Sequence, residues 1–297
     1  MAYDHRDGGE PAPVATFFQR HQDQLIPFLF VIPSLVYVGY FAFYPTAQTI
    51  QYSFQTRILA FTWYNYQANL QSGLAMWIEN TLWLTAAALT IQFVLALAVA
   101  SILNRAFIGK TIFATIAILP IGIATVVAGF TFQQIFPGTG AGYANSILQS
   151  FGIPPVYWLN QPWLALLVVA IADSWKNTSL VIIILVAGYA TIPRTLYQAA
   201  AIDGAGALRQ FRYVTLPGLR GFIVMALLIR GAQEVNIFQL AYIMIGSYPQ
   251  LLTVQVYTLW STSGGLPYIA SAVSTVLLAI VSVLIVIVIL LGGSGRK

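Results

Sequence analysis

Long apolar runs separated by short polar stretches dominate this chain. Six runs can be read, at residues 25–44, 81–103, 112–136, 163–190, 222–245 and 269–291. Each is long enough to predict a helix across the ~30 Å apolar interior of a bilayer. The second and sixth carry no charged residue, and their 23 residues would each make a helix roughly 34 Å long. The first holds Pro27 and Pro33, so a kink is expected there. The fold class is therefore an all-α integral membrane protein with six transmembrane helices. It is organised as an N-terminal arm, residues 1–24, and a transmembrane domain, residues 25–297.

Composition agrees. Charged residues make up 7% of the 297, against about 25% in a soluble domain. Six spans use nearly the whole length. Cysteine is absent, so thiolate metal sites and disulfides are excluded. The two histidines, His5 and His21, both lie in the arm, and no metal site is expected. The arm mixes acidic and basic residues and does not read as a secretory signal. Its "VATFFQRHQDQ" predicts either a short interfacial helix with Phe17 and Phe18 in the lipid or a plain lead-in.

The net charge of +5 changes meaning once it is placed on the spans. With six spans both ends share one side. That side then carries Arg6, Arg20, Arg105, Lys110, Arg194, Arg209, Arg212, Arg220, Arg296 and Lys297. Arg57 alone falls in the opposite loops, and Lys176 and Arg230 fall within spans, which accounts for all 13 basic residues. The asymmetry predicts cytoplasmic N- and C-termini in the cell membrane and removes the case for nucleic-acid binding. Trp63, Trp77, Trp158, Trp163 and Trp260 fall in the outer loops or at outer span ends, as an aromatic belt would. The outer loops 137–162 and 246–268 have no charge and read as a docking surface or a short cap.

Three motifs mislead. "NRAFIGKT" at 104–111 ends like a phosphate-binding loop, but Asn104 stands where that loop needs glycine and no strand precedes it. "NTS" at 177–179 lies mid-span, where a glycosylation acceptor cannot be. "GTGAG" at 138–142 lacks a helix start and a basic partner. No nucleophile–base arrangement is readable, so the chain is not expected to be an enzyme.

Polar residues inside two spans carry the candidate chemistry. The fourth span has Asp173, Lys176 and Asn177; the fifth has Arg230, Gln233, Glu234 and Asn236. A lone charge at mid-bilayer costs roughly 2.5–3.5 kcal/mol on insertion scales, so these residues need partners. Spacing predicts Asp173 with Lys176 at i, i+3 and Arg230 with Glu234 at i, i+4. Two readings are open. The pairs glue helices together, or Asp173, Lys176, Asn177, Gln233, Glu234 and Asn236 line a wet path for a polar solute such as a sugar, whose hydroxyls need donors and acceptors together.

Between those spans lies "IPRTLYQAAAIDGAGALRQFRYVTLPGLRG", residues 192–221. Pro193 can open a helix, alanines favour it, and Asp203-Gly204 breaks it. A second short helix through "ALRQFRYV" is expected to stop at Leu216-Pro217. The residues thus predict a helix–turn–helix, small on one side and basic on the other.

That stretch resembles the EAA loop of permease subunits of ABC importers, whose pattern is Glu-Ala-Ala, three residues, Gly, nine residues, Ile-x-Leu-Pro. Ala199-Ala200, Gly204 and Val214-Thr215-Leu216-Pro217 fall on its spacing. Asp203-Gly204-Ala205 and Phe211 match the extended form in sugar permeases, as do "LPIGIATVVAGF", "SWKNT" and "NIFQLAYIMIGSYP". The resemblance is to the six-span first permease of trehalose, maltose or glycerol-phosphate type importers. Two departures stand out: Gln198 replaces the motif's glutamate, and Ser247-Tyr248 replaces Gly-Gly before Pro249.

The resemblance implies a coupling helix, in a loop at 193–217, that docks on a separate ATPase. Gln198, Ala199, Ala200, Asp203, Gly204, Leu216 and Pro217 would carry the coupling. It implies a second permease subunit, a pair of ATP-binding subunits on the cytoplasmic side and an extracytoplasmic sugar-binding protein. The chain itself would hold no cofactor, since ATP and magnesium would sit in the ATPase. The alternative is a secondary transporter driven by an ion gradient, using Asp173 or Glu234 as its ion site.

Overall fold

The computed structural model describes residues 29–261 and 267–293. The expected arm helix, with Phe17, Phe18, His5 and His21, and the kink at Pro27 lie outside the described residues. Among those described, the helices are α1 (Leu29–Ser53), α2 (Tyr64–Gln71), α3 (Leu74–Leu103), α4 (Lys110–Gly122) and α5 (Thr125–Ile135). They continue with α6 (Tyr143–Ser150), α7 (Pro162–Thr191), α8 (Arg194–Ile202), α9 (Ala207–Val235), α10 (Gln239–Ile245), α11 (Leu252–Ser261) and α12 (Pro267–Gly293). The chain divides after Gln51 into two compact units. Of the first, only part of α1 is described.

Five helices, α1, α3, α7, α9 and α12, are long and apolar enough to cross a membrane. The third expected span is not one straight helix. It is α4 and α5, bent by 100°. Pro120 and Gly122 lie in a tight last turn, and Ile123 and Ala124 are extended with ψ 133° and 135°. Counted as one crossing, the pair makes six. The fifth expected span also differs. Its helix ends at Val235, because Asn236 folds its side chain back onto the Ala232 carbonyl at 2.8 Å, and α10 begins only at Gln239.

Two prolines are absorbed by the same device. Leu216-Pro217 was expected to stop the second short helix of the 193–217 segment, yet α9 runs on through it as one 29-residue helix. A wide turn at Phe211–Thr215 lets Leu216 N–H reach back five residues to the Phe211 carbonyl. That shift takes up the register lost where proline has no N–H and its ring crowds the carbonyl four residues back. In α1 the wide turn Gly39–Phe43, with Tyr44 N–H on the Gly39 carbonyl, precedes Pro45 in the same way.

In the second unit α3, α7 and α9 pack on one another. Ala88, Ala96 and Ala100 form a fully buried small-residue stripe on α3, which lets α7 approach closely. The apolar core falls into two main clusters. One joins Leu84 and Ala88 to Leu166, Val169, Leu240 and Met244. The other joins Ala96, Ala100 and Leu103 to Val181, Leu185, Leu219 and Ala226. A third gathers Leu74, Trp77, Leu252 and Val273. Trp77, read from sequence as a belt residue, is therefore a core residue, while Trp63, Trp163 and Trp260 are exposed. The loop after α5 is a built cap: buried Asn145 donates to the Thr139, Ala141 and Val156 carbonyls and accepts from Val156 N–H and Trp158 Nε1.

Close approach of α7 to α9 gives a test. A Cβ at Gly188 would lie 2.7 Å from Phe222 Cγ and 2.8 Å from Leu219 Cδ2, whereas one at Gly221 would meet nothing within 4 Å. Gly188→Ala should destabilise by about 1–3 kcal/mol through overpacking. Gly221→Ala should be neutral or stabilise by up to about 1 kcal/mol, since alanine is the better helix former. Thermal unfolding of the purified protein in detergent checks this. Equal melting temperatures for the two variants would contradict the packing.

Candidate functional site

The layer between the two main core clusters is polar. On α3, Gln92 sits one turn from Ala88 and one from Ala96, and it is fully buried. Facing it are Asp173 on α7 and Arg230 and Glu234 on α9, each at most 5% exposed. Arg230 donates from Nε to Gln92 Oε1 and from Nη2 to Asp173 Oδ2, both at 3.0 Å. It pairs with Glu234 and also donates to Gln233. Gln92 Nε2 donates to Asp173 Oδ2 at 3.0 Å and to Glu234 Oε1 at 2.6 Å. Asn177 Nδ2 closes the set on Asp173 Oδ1 at 2.8 Å.

The chemistry of each group explains the arrangement. Guanidinium offers donors only, carboxylates accept only, and the glutamine amide does both, so Gln92 can stand between unlike partners. Two carboxylates share one guanidinium, and Glu234 Oε2 has no hydrogen-bond partner among the described residues.

One sequence expectation is corrected here. Asp173 pairs across helices with Arg230, not with Lys176 one turn along. Lys176 has no ion pair or hydrogen bond among the described residues, because the cross-helix guanidinium meets the carboxylate where both are out of water. The expected Arg230–Glu234 pair is present. Of the other polar candidates, Gln233 joins through Arg230 and is exposed, while Asn236 is exposed and bonded only to its own helix. Gln92 was missed. Its signal was available: it is the only amide in the uncharged second run, whose other polar residues are hydroxyls.

The 193–217 segment, called the module below, has a different construction. No residue of α8 is buried. Pro193 is the residue before the helix, with ψ 132°, rather than its first turn. Gln198 and Ala199 are exposed and Ala200 half-buried. The helix ends at Asp203 in a Schellman closure: Ala205 N–H bonds the Ala200 carbonyl at 2.8 Å, and Gly204 N–H bonds the Ala201 carbonyl at 3.1 Å. Gly204 has φ +75°, a conformation that side chains with a Cβ resist. Ile202 and Leu208 flank the turn and are 86% and 80% exposed, which is unusual for large apolar residues on a polar segment. Leu216 and Pro217 lie further on, exposed, inside α9.

No family model matches the chain. The arabinooligosaccharides transport system permease protein AraP of Bacillus subtilis (strain 168) is 31% identical over 227 residues, covering 73% of this chain and 71% of that protein. The chain belongs to the permeases of sugar ABC transporters. The trehalose transport system permease protein SugA of Mycobacterium tuberculosis (strain ATCC 25618 / H37Rv) is 40% identical over 167 residues, which is 56% of this permease and 52% of that protein. The match thus spans about half the length of that relative. In fold, the permease is similar to a chain of a bacterial alginate ABC transporter crystallised in complex with alginate pentasaccharide-bound periplasmic protein. The TM-score is 0.76 at 20% identity, over 91% of this chain and 95% of that one.

The polar layer yields graded predictions. Arg230→Met leaves two buried carboxylates without their cation and should cost about 3–5 kcal/mol. Gln92→Leu removes three hydrogen bonds to charged groups and should cost about 2 kcal/mol or more. Lys176→Met should change stability by less than about 0.5 kcal/mol. Melting temperatures of the purified variants in detergent check the order. A Lys176→Met loss as large as that of Gln92→Leu would show that the network is misread.

Proposed function

We propose that this permease is one of two membrane-spanning subunits of an ATP-driven, binding-protein-dependent sugar importer in the cell membrane, with both termini cytoplasmic. It couples to a separate pair of ATP-binding subunits through the 193–217 segment. The observation that carries this reading is the module itself: a capped helix with no buried residue, on the EAA spacing, presenting Gln198, Ala199 and Asp203 to solvent. A helix so exposed lacks its own core, and a groove on a soluble partner supplies one. Alanines suit that groove because they let another backbone approach closely. With Gln198 in place of the motif's glutamate, any bond from this position to the ATPase is neutral, and weaker than a charge-assisted one.

Sugar-uptake relatives and the polar face of α9 support the substrate class. Gln233 and Asn236 stand exposed at the far end of α9 from the module, and Lys176 and Asn177 are half-buried on α7. These four carry the contact with a sugar's hydroxyls, with Asn177 held by buried Asp173 and Gln233 by Arg230, which Asp173 and Glu234 fix in turn. An extracytoplasmic binding protein, as in the alginate system, delivers the sugar. The rival reading, an ion site at Asp173 or Glu234, requires the ion to displace a guanidinium already bound to both.

Co-purification from host membranes tests the coupling assignment. The intact chain should retain an ATPase subunit. Gly204→Val imposes about 1–2 kcal/mol of left-handed strain, which corresponds to roughly tenfold weaker retention. Normal ATPase retention and stimulation in Gly204→Val would refute the assignment.

A further inference from the structure

Where α8 meets the bundle, a cavity lies beside the edge of the second apolar cluster, and Tyr197 touches both. A space of about 220 Å³ lies under α8, lined by Ser101 and Arg105 from α3 and its end, Tyr189 from α7, Tyr197 from α8, and Gln210 and Thr215 from α9. Tyr197 and Ala200 of α8, three residues apart and so on one face, are its half-buried residues. Of these, Tyr197 alone has a polar group to offer. Its hydroxyl shares a 2.9 Å hydrogen bond with Thr215 Oγ1. Thr215 is buried and closes the wide turn that carries α9 past Pro217.

We propose that Tyr197 is the positioning residue that carries displacement of α8 into α9, through its hydroxyl contact with Thr215. The proposal rests on the coupling role assigned to α8 above. The geometry favours this path because Tyr197 is the one side chain of α8 that both packs on the second apolar cluster and hydrogen-bonds a residue of α9 among the described residues. A hydrogen bond between two hydroxyls is directional and holds register where a loose apolar contact would slip. From Thr215, α9 continues without a break to Arg230, fifteen residues on, or roughly 22 Å at 1.5 Å per residue. A shift imposed at Thr215 therefore reaches the polar layer along one helix, and beyond it Gln233 and Asn236. The second hydroxyl pair in the cavity, Ser101 and Tyr189 at 2.5 Å, ties α3 to α7. The Tyr197–Thr215 bond ties α8 to α9.

The absence of cysteine from the chain makes a clean test possible. A single reporter, Asn236→Cys, is placed in the full transporter with its ATPase and second permease in membranes. Its labelling rate with a membrane-impermeant maleimide is measured in the apo state and after trapping with Mg-ATP and vanadate. With Tyr197 intact, trapping should change the rate by about fivefold or more, the scale of a typical coupling energy. Tyr197→Phe and Thr215→Val should each reduce that change to less than about twofold, and the double variant should be no worse than either alone. ATPase retention and melting temperature should stay as in the parent, which a merely structural role would not allow. An undiminished change in Tyr197→Phe would overturn the proposal, as would independent, multiplying effects of the two substitutions. So would a reporter unmoved by trapping in the parent while the ATPase is bound. Failure to retain any ATPase in the parent would overturn the coupling assignment itself and this proposal with it.

Discussion

A guanidinium placed between two apolar layers has to be surrounded, and that requirement ties three helices of this permease together. Arg230 cannot be satisfied by its own helix alone. It takes Glu234 one turn along, then Asp173 from α7, then the amide oxygen of Gln92 from α3. Each partner is fixed in turn by another, so the three helices are held in one rotational register about a polar layer. Apolar packing above and below would tolerate small rotations. A hydrogen-bonded charge cluster out of water does not, because a broken bond there leaves a charge without compensation.

From that layer, α9 runs to the opposite end of the bundle and into the inner module, and the two ends are built on opposite principles. At the layer, side chains are buried and bonded to one another. At the module, backbone closure and a left-handed glycine hold the shape while side chains stand in solvent. A fixed interior is thus joined to an exposed segment by an unbroken helix, which suits the coupling role proposed for that segment. Continuity depends on the wide turn at Phe211–Thr215, since a plain proline break at 217 would have left a hinge between that segment and the layer.

The long helices were largely legible because lipid-facing surface leaves an unmistakable apolar record. Helix breaks were less so. The 100° bend near Gly122 occurs within an apolar run, where hydropathy carries no trace of direction, and the end of α9 at Val235 falls in a run whose polar residues were read as site candidates and not as a helix end. Pro217 was misjudged for a local reason: a proline's cost depends on the register of the preceding turn, which composition does not encode. In the site, the i, i+4 pair Arg230–Glu234 could be read from spacing, since both residues share a helix face. Asp173–Arg230 could not, because it depends on the placement of two helices. Gln92 was visible as a lone amide in an apolar run, but only its neighbours reveal that it accepts from a cation and donates to two anions.

The most direct measurement of the central claim is uptake into right-side-out membrane vesicles carrying the assembled transporter. Radiolabelled trehalose, maltose and arabinooligosaccharides would be offered with the extracytoplasmic binding protein, with and without ATP inside. Uptake of at least one sugar that requires internal ATP and the binding protein, and that survives a protonophore, is the predicted result. Uptake that proceeds without ATP and collapses with the protonophore would contradict the account and favour an ion-driven carrier.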